Sequence, residues 1–580
     1  MQHFDNGELA GSLIGRSGKV GRCMASFAKQ EAGNLTVFAL SLFMTMVMIG
    51  GLAVDIMRYE TVRTKLQNTL DRSTLAAASL TQELDATSVV NDYFTKAGLI
   101  QYLKSVSVSE GLNYREVSAD ATAGTDPIFL HLMGIDKMDA AGHSKAEQRV
   151  TNVEIMLVLD VSGSMSSNSK LTNLKSAASE FVNTVLSSDA EGRISIGLVP
   201  FNGQVNLGSV LAAKYTLIDP NGGTNQFCVD LPPSVYGPLS LSRTSSMSMT
   251  ANADSYSTTN QTTSYVSPTD SNYGVPSAAN LWCPPSTTAT TGNIVVLPSK
   301  SISALQTSIN SLTAVGATSI NAGMRWGTAL LDPGSQSMFT QFISAGKMPS
   351  EFQGRPYAYA DDDAMKVVVL MTDGEHFPEE RINSGYKSGY STIFRATSDN
   401  NYSIFHSSKV VTTTATTICN SRPYWVPHLG AWHSRPWTGT APSGTACYVQ
   451  NAATPTGATN LTWPQVWANM RVSYVAWQLY ARALGTTSST RTTAYNNAMT
   501  AFRTQTATST MDTQLQTMCS AVKNQGVTIY GIAFEAPTNG QTQISSCASS
   551  PAHYFNATGI QIKTAFRAIA SNISQLRLTQ

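Results

Sequence analysis

Glu154-Ile-Met-Leu-Val-Leu-Asp160-Val-Ser162-Gly-Ser164 is the stretch that decides the fold of this 580-residue chain. A short apolar run closed by a Ser/Gly turn reads as a strand buried on both faces, as strands of parallel sheets are. Open α/β sheets bind their ligands at the carboxyl ends of such strands. One carboxylate and two hydroxyls arrive there, at i, i+2 and i+4: Asp160, Ser162 and Ser164. Hard oxygen donors of this kind suit a small divalent cation rather than a thiolate-seeking metal. Downstream, Lys366-Val-Val-Val-Leu-Met-Thr-Asp373-Gly374 is a second buried strand that ends in a carboxylate. Between the two lies Gly316-Ala-Thr318-Ser-Ile-Asn-Ala-Gly323, a loop that leads into a helix-like stretch over 324–331.

Taken together, Asp160-x-Ser162-x-Ser164, then Thr318, then Thr372-Asp373-Gly374 resemble the metal-ion-dependent adhesion site of von Willebrand factor A (VWA) domains. The resemblance implies Mg2+ as cofactor, with Mn2+ or Ca2+ as alternatives, held by Ser162, Ser164 and Thr318. Asp160 and Asp373 would act through water, and a carboxylate from a partner protein would complete the octahedron. It also implies a doubly wound, mostly parallel, Rossmann-like α/β sheet. The residues agree with this, since strand-like runs alternate with helix-like ones at 170–186, 193–201, 301–312, 527–534 and 561–576.

Net charge is +1 and only 13% of residues are charged, with no basic cluster dense enough for nucleic acid. Residues 34–57, NLTVFALSLFMTMVMIGGLAVDIM, carry no charge before Asp55 and are long enough to cross a bilayer as one helix. Basic residues flank this span on both sides, so they give no orientation. The cysteines do. Cys23 precedes the span, whereas Cys228, Cys283, Cys419, Cys447, Cys519 and Cys547 all follow it. An even set on one side suggests disulfides in an oxidising compartment, and sequential pairing is the simplest of the connectivities six cysteines allow. The expected topology is a single membrane pass, with the large carboxyl-terminal domain periplasmic or extracellular.

Gly33-Asn-Leu-Thr-Val-Phe-Ala-Leu40, Gly51-Leu-Ala-Val-Asp55, Lys65-Leu-Gln-Asn-Thr-Leu-Asp71 and Leu75-Ala-Ala-Ala78 are similar to the amino-terminal region of TadE/TadG-like proteins of the tight-adherence (Flp pilus) machinery. In that family a TadG-type chain joins such an anchor to a VWA domain, and its partners are other pilus-assembly components. The resemblance also implies that the membrane is a bacterial inner membrane. The fifth residue after Gly33 is Phe38, where processed members carry Glu, so permanent anchoring is expected. After the span, Val62, Leu66, Leu70, Ala77, Leu80 and Leu84 form an apolar helical stripe. The strand-like region 105–146 or a partner helix would cover it. The expected domains are a cytoplasmic tail (1–33), the span (34–57), a helical stalk and strand-rich connector (58–150), and a VWA domain (151–580). Insertions interrupt the last at about 202–291 and 375–461.

The centre of the first insertion, 239–277, is rich in Ser, Thr, Asn and Tyr and poor in aliphatic residues, so it reads as a mobile loop. The second holds Trp425, Trp432 and Trp437 with His428 and His433. The three indoles offer a recognition surface or pack the loop onto the sheet, and two His without further ligands make a poor zinc site. Residues 466–484 and 494–523 read as helices. Asp361-Asp362-Asp363 lacks EF-hand spacing and reads as solvated charge. No Gly-x-Ser-x-Gly elbow, His-Glu-x-x-His or phosphate loop is present, and His376 is the one candidate base near Asp373. A binding protein rather than an enzyme is therefore expected. The readings that remain are a pilus-assembly or attachment factor, a metal-dependent surface receptor or envelope-stress module unconnected to pili, and, more distantly, a metal-dependent hydrolase.

Overall fold

In the computed structural model the described residues are 31–79, 82, 84–110, 114–149, 152–187, 189, 192–222, 226–256, 264–283 and 292–574. Cys23, Leu80 and the expected cytoplasmic tail up to residue 30 lie outside them. The chain divides into two compact units between Arg149 and Val150.

The first unit begins with α1 (Glu31–Ala78), a single helix of 48 residues. No proline interrupts it, and its apolar first half is exposed from Leu35 to Met57 except at Gly51 and Asp55. Beyond this, α2 (Ala86–Lys96) is capped by Asp85, whose carboxylate accepts the Ser88 N–H at 2.8 Å. Then β1 (Leu103–Glu110), β2 (Tyr114–Thr125) and β3 (Met138–Arg149) form an antiparallel sheet in the order β1-β2-β3. The second half of α1 buries Leu66, Leu70 and Ala77 in one cluster with Val117, Ala119 and Ala121 of β2. Each such leucine contributes about 2 kcal/mol. The apolar stripe is thus covered by the unit's own sheet. Leu84, assigned to that stripe, is instead exposed, because α1 ends at Ala78 and the chain turns before α2.

In the second unit, β4 (Asn152–Asp160) and the strands beside it are mainly apolar, and the buried Glu154 of β4 is paired with Lys366. The reason is visible in their burial: every residue of β4 from Val153 onward is buried, so both faces are covered. The sequence runs on through α3 (Lys170–Ser187), β5 (Ile194–Phe201), β6 (Val296–Ser299), α4 (Ile302–Asn310), α5 (Ile320–Leu331) and β7 (Ala364–Thr372). An antiparallel subassembly then intervenes. It comprises β8 (Glu379–Ile382), β9 (Tyr390–Ala396), β10 (Tyr402–Phe405), β11 (Tyr424–Val426), β12 (Ala431–His433), β13 (Ala458–Thr462), α6 (Trp463–Asn469), α7 (Ser488–Phe502) and β14 (Arg503–Thr506). The chain closes with α8 (Thr508–Lys523), β15 (Thr528–Phe534), α9 (Thr538–Cys547), β16 (Tyr554–Ala557) and α10 (Gln561–Ser574).

The central sheet has the order β16-β15-β7-β4-β5-β6. Its pairings are parallel except for the antiparallel edge β5/β6. Met156 and Val158 pack in one cluster with Trp326 and Leu330 of α5 and with Leu515 of α8. On α3 and α10, Phe181 and Phe566 meet edge to face at 5.8 Å. The remaining larger sheets, β1-β2-β3 and β12-β11-β10-β9-β13, are antiparallel. The chain as a whole is mixed α/β, a broader description than the doubly wound sheet expected for it.

Two expectations need correction. The polar tract 239–277, read as a mobile loop, is packed in part: Met247, Met249, Ala251 and Ala253 are buried. Asp254 is also buried, and Arg471 Nε donates to it at 2.9 Å. The Cys228–Cys283 disulfide ties the segment at its ends. A covalent tie and a buried ion pair replace the aliphatic core that the composition lacks. Residues 257–263 lie outside the described set.

The stretch 494–523, read as one helix, is two, separated by β14, whose Thr- and Gln-rich backbone pairs with β8. That pairing carries the antiparallel subassembly to residue 506. Of the two readings left open for the indoles, burial favours packing over an exposed recognition surface. Trp425 and Trp437 are 6% and 7% exposed, and Trp432 is half-buried against Trp425. Trp425 Nε1 donates to the Gln478 carbonyl at 2.9 Å, and Trp437 Nε1 to Asp399 Oδ2 at 2.8 Å. With apolar body and N–H both satisfied, these side chains hold the subassembly together. His428 and His433 flank the Trp437 ring.

Candidate cation site

Parallel pairing brings the carboxyl ends of β4 and β7 level, with Leu159 beside Met371, so Asp160 and Thr372 emerge as neighbours. Asp160 is buried and engaged at both oxygens. Oδ1 accepts the Ser162 N–H at 2.7 Å, and Oδ2 accepts the Thr372 hydroxyl at 2.5 Å. Burial, together with the neighbouring Asp373 charge, pushes its carboxyl up to about 7. The Ser164 hydroxyl donates to Asp373 Oδ1 at 2.7 Å, and Ser162 Oγ lies 3.4 Å from the same oxygen. Four of the five residues named from the sequence thus form one connected cluster.

Thr318 completes the set from a neighbouring loop. Its Oγ1 lies against Gly374, 3.4 Å from where a Cβ there would stand, and its carbonyl accepts the Phe377 N–H at 2.9 Å. The loops are tied to one another as well. Gly163 N–H donates to the Gly316 carbonyl at 2.9 Å, and Val315 N–H to the Val161 carbonyl at 2.9 Å. A Cβ at 163 would stand 3.2 Å from the Gly316 carbonyl, a tight approach that favours glycine there.

Two functional neighbours were not singled out from the sequence as members of the site. Lys170, at the start of α3, reaches Asp373 Oδ2 with its Nζ at 3.0 Å and lies 3.8 Å from Glu535 Oε2. The only sequence signal was a basic residue shortly after the Asp160 loop. Asp512 of α8 lies 2.7 Å from His376 Nδ1, while His376 Nε2 accepts the Asn321 N–H at 3.1 Å. That acceptance fixes the ring proton on Nδ1, which donates to Asp512 and, as the leading cause, holds its carboxyl below the usual range. His376 is therefore a brace between the Asp373 turn, α5 and α8.

The donor chemistry fits a hard divalent cation. Ser162 Oγ and Ser164 Oγ are 3.1 Å apart. Two ligands on one edge of an octahedron with Mg2+–oxygen bonds of about 2.1 Å would stand about 3 Å apart. Among the described residues no group of three or more His, Cys, Asp or Glu side chains is placed to hold a metal, so hydroxyl oxygens must supply part of any such site.

Among the described residues one helix is long and apolar enough to cross a membrane, and hydroxyls and carboxylates gather at a parallel sheet edge of a mixed α/β chain. Residues 33–80 match the family described as putative Flp pilus-assembly TadE/G-like, so the amino-terminal segment is TadE/G-like and the chain is consistent with a TadG-like protein. No curated protein matches. Among solved structures, the vWF domain of the type V pili tip protein Mfa5 from Porphyromonas gingivalis aligns at 13% identity and a TM-score of 0.28, covering 74% of this chain and 98% of that one. The pilus adhesin SpaC from Lactobacillus rhamnosus GG aligns at 12% identity and a TM-score of 0.29, covering 82% of this chain and 34% of its own. The pilus adhesin RrgA from Streptococcus pneumoniae aligns at 10% identity and a TM-score of 0.27, covering 81% and 50%. The aligned part is thus about a third of SpaC and half of RrgA.

Proposed function

We propose that this chain is a membrane-anchored component of the tight-adherence pilus machinery, whose second unit is a VWA domain that grips a partner protein through a divalent cation. The observation that carries the reading is the convergence of Ser162, Ser164 and Asp373 on one point, with Asp160 beneath it and Thr318 beside it. The TadE/G-like match over residues 33–80 supports the pilus context.

Mg2+ bound there would supply positive charge for an acidic side chain of the partner. Ser162, Ser164 and Thr318 would hold it with neutral oxygens, so little of its charge would be cancelled. Asp160 orients the loop through Ser162 N–H and Thr372. Lys170 fixes the outer oxygen of Asp373. Both His376 nitrogens are committed to structural partners, which leaves Ser162 and Ser164 without that ring as a general base and favours binding over hydrolysis. Three disulfides in the second unit, Cys228–Cys283, Cys419–Cys447 and Cys519–Cys547, support a periplasmic or extracellular location, with α1 as an inner-membrane anchor.

The test is titration calorimetry of the full chain with Mg2+, paired with pull-downs from intact cells with and without EDTA. Saturable binding lost in Thr318→Ala, and a pilus-system partner recovered only without EDTA, are expected. Binding unchanged in Thr318→Ala would overturn the assignment.

A further inference from the structure

The first unit carries an apolar turn beside the candidate span that the pilus reading does not use. Gly51 of α1 leaves a notch filled by the Phe129 ring, and a Cβ at that position would collide with it. One helical turn on, Asp55 is buried and accepts three backbone N–H groups: Ile128 at 2.9 Å, Phe129 at 2.7 Å and Leu130 at 2.8 Å. Residues four apart on a helix share a face, so Gly51 and Asp55 form one docking strip. The turn between β2 and β3 is clamped to it. Outward from the clamp, Ile128, Leu132 and Met133 are 59%, 80% and 61% exposed.

A solvent-facing turn gains nothing from three large apolar side chains, and clustered exposure of this kind marks a contact surface. What covers it follows from where the clamp stands. The uncharged run ends at Asp55, and Arg58 follows. About 20 helical residues fill a bilayer core of about 30 Å, so the span is complete near this point. At 1.5 Å per residue the Gly51–Asp55 strip lies within about 9 Å of Met57. That is the depth at which interfacial segments bury their apolar faces, about 5–10 Å into the headgroup and acyl boundary. Leu52, Val54 and Ile56 of α1 are exposed at the same level, continuous with the turn. A carboxylate at this depth is costly unless paired, and three N–H donors supply the pairing.

The geometry points to residues 128–133 as a second membrane contact, a wedge lying in the interfacial layer of the bilayer beside α1. It rests on the reading of α1 as a membrane anchor. A helix alone leaves its unit free to rotate and tilt, whereas a helix with a laterally clamped wedge presents one fixed face to the membrane.

The experiment uses the full chain reconstituted in phosphatidylcholine vesicles with brominated acyl chains, comparing Leu132→Trp and Phe43→Trp with the parent. Both positions are exposed, so neither substitution disturbs a core. The emission added by Leu132→Trp should be roughly halved by bromines near the headgroup end of the chains, as interfacial depth requires. That of Phe43→Trp should respond to bromines deep in the bilayer. Quenching of Phe43→Trp without quenching of Leu132→Trp overturns the wedge and leaves the anchor standing. A blue-shifted but unquenched Leu132→Trp overturns it in favour of a protein cover. If neither is quenched, the anchor reading fails and the wedge with it.

Discussion

Lys170 stands on Asp373: its ammonium lies 3.0 Å from Oδ2, while Ser164 donates to Oδ1 at 2.7 Å. The pair is almost fully enclosed, with the Lys170 side chain 10% exposed and that of Asp373 fully buried. A divalent cation at the site would share Asp373 with this fixed positive charge. Lys170→Met should therefore destabilise the cation-free domain by about 3 kcal/mol, since a buried charge loses its partner. The same variant should bind Mg2+ about tenfold more tightly, a change of about 1.4 kcal/mol. Thermal denaturation and calorimetry with and without Mg2+ measure both effects. Equal Mg2+ responses in parent and variant would show that Lys170 does not compete.

Thr318→Ala and Asp160→Ala should separate cation binding from folding. Asp160 accepts Ser162 N–H and the Thr372 hydroxyl in a fully buried setting. Removing it orphans both donors and should cost about 2–4 kcal/mol even without metal. Thr318→Ala removes one hydroxyl of a buried residue but keeps its carbonyl bond to Phe377, so it should cost about 1 kcal/mol while abolishing the Mg2+-dependent rise in melting temperature. Equal melting temperatures for the two variants in EDTA would contradict this division.

Asp512 should reveal itself through pH. The hydrogen bond from His376 is the leading reason its carboxyl sits below the usual range. A depressed carboxyl contributes stability above its unfolded pKa, about 3.9, and loses it as pH falls through the folded value. Asp512→Asn should therefore melt lower than the parent at pH 7, with the gap closing below about pH 4. A gap independent of pH would mean that packing, rather than the carboxylate's hydrogen bond with His376, is what Asp512 supplies.

What could be read from sequence follows a physical line. Asp160 and Asp373 were legible because each closes an uninterrupted apolar run, and buried strands leave little choice about where their ends point. Lys170 was not, because its partner is 203 residues away and helix-start lysines are usually solvated. Arg503-Thr-Gln-Thr506 was read as helix, since its strand state depends on β8, a pairing that no local pattern carries. Met247 and Met249 show a similar limit. A tract of Ser and Thr looked unable to fold, yet a disulfide and the Asp254–Arg471 pair order it from outside.

The three disulfides should differ sharply in reactivity, and burial decides how. Cys419 is exposed on a turn, whereas Cys228, Cys283, Cys519 and Cys547 are buried. A reductant in water can attack only a sulfur it reaches. Under native conditions, reduction and alkylation should label Cys419 and Cys447 alone. The other four should be labelled only after global unfolding. Cys519–Cys547 joins α8 to α9 across 28 residues and Cys228–Cys283 closes 55. Loop-closure entropy then assigns about 3.5 and 4 kcal/mol to them respectively, and about 3.5 kcal/mol to Cys419–Cys447, which also closes 28 residues, so paired Cys→Ser substitutions should cost similar amounts and only the native-state reactivity should differ. Peptide mapping by mass spectrometry reads the order directly. Labelling of Cys519 as fast as Cys419 would mean that α8 and α9 open locally well below the global unfolding energy.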